Sequence, residues 1–141
     1  GVVQDVPASN EVIVRIDPML ARVKTVTHTV EDLVANADIA ARAIHHFNSP
    51  AWLVAARVVN QATAAAGIDN GNTCVVAIAT DSGSVVSTTF NASTTFPTSN
   101  TRFDMGALSN TPVRAGFVMT LAVTNGTTAN PGPFLVEVDY V

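Results

Sequence analysis

Chemistry in this sequence would have to start from its histidines, its carboxylates and one cysteine. His45 and His46 are adjacent and His28 stands apart from them. Neighbouring side chains point apart on a strand or a helix, so a zinc site would need ligands from distant elements. No Cys-x-x-Cys, His-Glu-x-x-His or carboxylate triad accompanies the pair. The ordinary expectation is one outward imidazole and one hydrogen-bonded at a sheet edge or subunit contact. Glu137 and Asp139 lie two residues apart and share one side of a strand. Glycosidase carboxylates face each other across a cleft from different strands, whereas a pair at this spacing simply faces solvent. Asp69, Asp81 and Asp104 fall in or beside loops and could gather around calcium, but no dedicated calcium loop is present. Cys74 sits inside the apolar run TCVVAIAT, where a thiol packs as a small hydrophobe. There is no Gly-x-Ser-x-Gly elbow and no glycine-rich phosphate loop. The expectation is a protein with no catalytic residue, no metal site and no cofactor.

The elements that would position these groups read as strands. EVIVRID, residues 11–17, alternates Val12, Val14 and Ile16 with Ile13, Arg15 and Asp17 up to Pro18. Residues 22–30 repeat the pattern with β-branched side chains, which lose less freedom in a strand than in a helix. Residues 31–47 conflict. Leu33, Ala37, Ala40, Ile44 and Phe47 form a helical apolar stripe, while a strand would align Ala40, Arg42, Ile44 and His46; composition favours the helix. From Pro50 onward the signal is β: Trp52, Val54, Ala56 and Val58 share a face, Asn70-Gly71 turns the chain, and Asp81-Ser-Gly leads into SVVSTTF. Residues 91–112, rich in Ser, Thr and Asn, should run over the surface with Phe96 and Phe103 as anchors.

Near the end, Phe117, Met119, Leu121 and Val123 share one face. Phe134, Val136, Val138 and Tyr140 oppose Leu135, Glu137, Asp139 and Val141. The loop between these strands, residues 125–133, is too long for a two-residue hairpin and is stiffened by prolines. It either closes the fold or offers a recognition surface. About eight short strands separated by turns predict a β-sandwich, of which the jelly roll is a common form. Sugar binding wants an exposed aromatic platform, and with Trp52 and Tyr140 both patterned inward only phenylalanines are left for it.

Composition narrows the partners. A chain of 141 residues fits one domain with one core. Only 13% of residues are charged and 48% are hydrophobic, with a single lysine, Lys24. So little charge suits a surface largely covered by other subunits. A net charge of −4 with singly scattered arginines argues against nucleic acid as a partner. No apolar stretch is long enough for a membrane span, and no basic-then-apolar leader pattern opens the chain, so a soluble protein is expected. Asn91-Ala-Ser and Asn125-Gly-Thr match the glycosylation acceptor pattern. The first ten residues lack any period and read as an N-terminal arm on a domain of residues 11–141.

KTVTHTVEDLV, FNSPAWLVAARVVNQAT and TPVRAGFVMTLAVTNGTTANPGPFLVEVDYV together resemble the jelly-roll head decoration, or cement, proteins of tailed bacteriophages. The shared features are a Pro-Ala-aromatic step opening a strand, an Ala-Gly before an apolar strand, and a Val-rich closing strand containing Tyr. The resemblance covers roughly residues 23–141. It implies an all-β, jelly-roll-like antiparallel sandwich with an extended arm, and a strand rather than a helix over residues 37–47. It also implies a structural virion protein, made in the host cytoplasm, that binds between major capsid protein subunits on the outer capsid surface. A homo-oligomer such as a trimer is implied too, with the arm residues Val2, Val3, Val6 and Pro7 at the interface. The other reading is a carbohydrate-binding sandwich module of a phage tail or fibre, using loops 91–112 and 125–133.

Overall fold

The computed structural model describes residues 22–31, 36–61 and 65–141. The arm with Val2, Val3, Val6 and Pro7, the strand expected at residues 11–17, and Leu33 lie outside the described residues. Nine strands and no helix make up the described chain: β1 (Lys24–Val30), β2 (Ile39–His46), β3 (Ala51–Asn60), β4 (Cys74–Thr80), β5 (Gly83–Phe90), β6 (Arg102–Asp104), β7 (Pro112–Val113), β8 (Val118–Asn125) and β9 (Phe134–Tyr140). They form two antiparallel sheets. One has the order β1-β9-β3-β6, with β7 also pairing β3; the other has the order β2-β8-β4-β5. Most successive strands therefore alternate between sheets, which is the jelly-roll arrangement. The connection at Asp81-Ser82 is a true two-residue hairpin, with Thr80 opposite Gly83.

The core follows from period-2 patterning. Val76 and Ile78 from β4, Met119, Leu121 and Val123 from β8, and Val136 and Val138 from β9 are fully buried between the sheets. Rings close both ends. Phe90 meets Phe96 and Phe103 at 4.8 and 5.0 Å, and Phe96 meets Phe134 at 5.3 Å, all edge-on. At the other end of β9, Tyr140 packs edge-on against Phe47 at 5.3 Å. Phe96 and Phe103 thus anchor the long surface segment as expected, together with buried Met105.

Residues 39–46 are a strand, and the helical stripe loses. Pairing with β8 along the element satisfies the backbone and buries Ile39, a tertiary gain that outweighs alanine's preference for helix. Two register shifts interrupt this edge strand, and another interrupts edge strand β5 at Val85. Such bulges disfavour pairing with a stray strand.

One expectation about β3 fails. Ala56 and Val58 are buried, but Trp52 and Val54 are 54% and 50% exposed. The cause is a bulge. Leu53 faces Tyr140 and Ala55 faces Asp139, so Val54 is an extra residue with no partner on β9. One inserted residue inverts the side to which everything before it points. Leu53 takes the core place assigned to its neighbours, and Trp52 turns outward.

The loop at residues 125–133 crosses from β8 in one sheet to β9 in the other. It is tied to the loop that precedes β4. Ala66 and Asn130 exchange two backbone hydrogen bonds of 2.8 Å, Gly126 N–H donates to Thr73 O, and Thr128 Oγ1 donates to Gly67 O. Gly67 has φ +66°, and a Cβ there would lie 2.1 Å from Thr128 O, so only glycine fits this crossing.

Candidate functional site

The outward turn of Trp52 creates an apolar area at one end of the five-stranded sheet. Trp52 and Val141 exchange backbone hydrogen bonds of 2.9 and 3.0 Å, which sets their side chains on the same outer face. Val141 is 43% exposed, and Val23, immediately before β1, is 52% exposed. Because Lys24 pairs with Tyr140, Val23 and Val141 continue the same cross-strand row. Pro112 of β7 pairs with Trp52 on its other side. Val23, Val141, Trp52 and Pro112 therefore span four adjacent strands, and Val54 adds to the patch next to Trp52. Among the described residues, Val23, Trp52, Val54 and Val141 are the large hydrophobic side chains that the fold leaves in water.

Beyond this patch the same face is polar and internally paired. Arg57 of β3 donates from Nη2 to Asp139 Oδ2 at 2.5 Å, and its Nη1 lies 3.8 Å from Glu137 Oε1. Arg102 of β6 approaches Glu137 at 3.6 Å, and Thr25 of β1 donates to Asp139 Oδ1 at 2.7 Å. Four strands are stitched by one network. Glu137 and Asp139 do not face open solvent, as their spacing predicts: their side chains are only 13% and 12% exposed. Cross-strand arginines cover them, a neighbour relation that a single strand's pattern cannot reveal. The bond from Arg57 holds the Asp139 carboxyl below its usual range, and Thr25 adds to this against the opposing effect of burial. Neither carboxylate is a free acid or base.

Compared with models of protein families, with curated proteins and with solved structures, the chain matches none of them. The local chemistry therefore carries the reading. The three aspartates in or beside loops do not gather into one cage, since each accepts from different backbone N–H groups. Asp69 Oδ1 accepts from Gly71 and Asn72 N–H, Asp81 Oδ2 from Val118 N–H, and Asp104 Oδ1 from Gly106 N–H. No cluster of three or more metal-type ligands occurs among the described residues. Cys74 is buried, and burial pushes its thiol up to about 12. Asn125 is a structural amide rather than an exposed acceptor: it is 4% exposed and its Nδ2 donates to Ala37 O at 2.9 Å.

The histidines divide between the two sides of β2. His46 is exposed, while His45 is half-buried, with its ring 4.6 Å from Phe47 and 5.6 Å from Tyr140. Ring contacts replace the hydrogen bond expected for the inner imidazole. Burial first, and then the nearby His46, keep His45 below the ordinary histidine range. His28 is shifted the same way, by burial first and by Arg42 second. Alternation along β3 points Trp52 inward, whereas the fold leaves it exposed. Residues 51–56 are all apolar, so the bulge leaves no mark in their pattern.

Proposed function

We propose that this chain is a structural virion protein that decorates a bacteriophage capsid and stabilises it by binding between major capsid protein subunits. The observation that carries the reading is the exposed Trp52 and Val54, with Val141, on a sheet where Arg57 and Arg102 are paired with Glu137 and Asp139. A solvent-facing tryptophan in a row of valines costs solubility and gains free energy only when another surface covers it. The rigid jelly-roll frame presents that row without any rearrangement, and the low charge of the chain suits close packing against protein. The resemblance in KTVTHTVEDLV and in the closing strand points to the same role. Many equivalent copies on one shell would turn a modest single contact into strong overall attachment.

The experiment is co-sedimentation with shells assembled without the protein. Binding should saturate at a fixed number of copies per shell, and heat should then release less of the packaged genome. Trp52→Ala should weaken attachment about 30-fold, as expected for about 2 kcal/mol from a tryptophan anchor. Shells that neither bind the protein nor gain heat resistance would defeat the proposal.

Trp52 also favours a second reading, because its exposed ring is the platform that sugar binding wants. Under that reading the chain is a carbohydrate-binding module of a tail or fibre. A glycan array separates the two, since a decoration protein gives no signal that depends on Trp52. The loop at residues 125–133 lends this reading little support, being bonded to the loop before β4.

A further inference from the structure

At the β9 end that carries Tyr140, the two sheets part to form a small cleft of about 140 Å³, between β1, β9 and the end of β2. Lys24, His45, His46, Asn48, Ser49 and Tyr140 line it, over a floor made by Phe47. Every polar group here can donate a hydrogen bond, and no carboxylate lines the cleft. The contrast with the rest of an acidic chain is sharp. Arg57 and Arg102 are committed to Glu137 and Asp139, whereas the ammonium of Lys24 forms no ion pair among the described residues and rests 5.9 Å above the Tyr140 ring. The side chains of His46, Asn48 and Ser49 likewise have no hydrogen-bond partner among the described residues. The walls are held firmly, because His45, Phe47 and Tyr140 form a closed set of ring contacts at 4.6, 5.3 and 5.6 Å.

We infer that this cleft is a binding site for a compact oxyanion, a phosphate or carboxylate group, with the Lys24 ammonium as its charged anchor. Uncommitted donors lining one small cleft are completed by a ligand with several acceptor oxygens and negative charge. Ser49 and Asn48 supply neutral donors from the turn after β2, and the half-buried His45 ring offers an N–H.

The test is a proton NMR titration of the folded protein, following the His45, His46 and Tyr140 ring signals while inorganic phosphate or, separately, acetate replaces chloride at constant ionic strength. At least one of the two anions should give saturable shifts confined to these rings, with half-saturation in the millimolar range. Which anion saturates identifies the preferred group. Lys24→Met should raise the half-saturation concentration at least fivefold, and Lys24→Arg should restore most of the binding. His28, outside the cleft, reports that each variant is folded. Shifts that stay linear for both anions, or that are unchanged in Lys24→Met, would overturn the inference.

Discussion

Replacing Asp139 by Asn tests the stitched outer face most directly. The amide keeps the size of the side chain and an oxygen for Thr25, so the change removes little except the negative charge that meets Arg57. A charge-assisted hydrogen bond contributes about 1.5–3 kcal/mol, and removing one partner of a buried pair costs more because the other charge is stranded. The Arg57 side chain is 25% exposed and still has Glu137 at 3.8 Å, so the loss falls in the lower part of that range, about 2 kcal/mol. The pH dependence gives the charge its signature. The folded Asp139 carboxyl titrates below its unfolded value, chiefly because of Arg57, so its stabilisation is complete above the unfolded pKa and disappears as pH falls through the folded one. Urea unfolding of both proteins at pH 7 should show the full difference. The gap should shrink below about pH 4 and close when the native carboxyl protonates. A cost under about 0.5 kcal/mol at pH 7, the level of an exposed pair, or a cost that persists unchanged at the lowest pH, would refute the reasoning.

Other outcomes follow from the same geometry. Trp52→Ala should alter unfolding stability by no more than about 0.5 kcal/mol, because the side chain is half in water; urea melts check it independently of attachment. Phe134→Ala removes a fully buried ring from the cluster with Phe96 and should cost about 3–5 kcal/mol in the same melts. Cys74 should resist thiol reagents in the native protein and react only under denaturing conditions, as a quantitative thiol assay would show. Burial keeps His28 below the ordinary histidine range, so its share of stability is intact above the unfolded pKa of about 6.5 and falls as pH drops through and below it; His28→Gln should flatten the stability profile between pH 7 and 5.

Strand alternation made most of the jelly roll legible. The inward faces of β8 and β9 are those their residue types indicate, since each of these strands keeps period 2 against a regular partner. Two features were hidden, both for reasons of tertiary structure. The conformation of residues 39–46 depends on what β8 offers them, because alanine accepts either helix or strand, and only the resemblance to decoration proteins favoured the strand. The direction of Trp52 depends on a single unpaired residue, and a bulge carries no composition mark of its own inside an apolar run such as Leu53-Val54-Ala55. The carboxylates of β9 illustrate a third case: their spacing was readable, but the arginines that cover them come from β3 and β6, remote in the chain.

The position of β9 has a consequence for how the molecule is made. It lies between β1 and β3, and Thr25 meets its partner 114 residues further along the chain. A ribosome must therefore extrude residue 140 before the sheet can zip up, and until then the valines of β1 and β3 wait with open backbone edges. The sheet can therefore close only once β9 has been made, and until then its earlier strands are open to the wrong company.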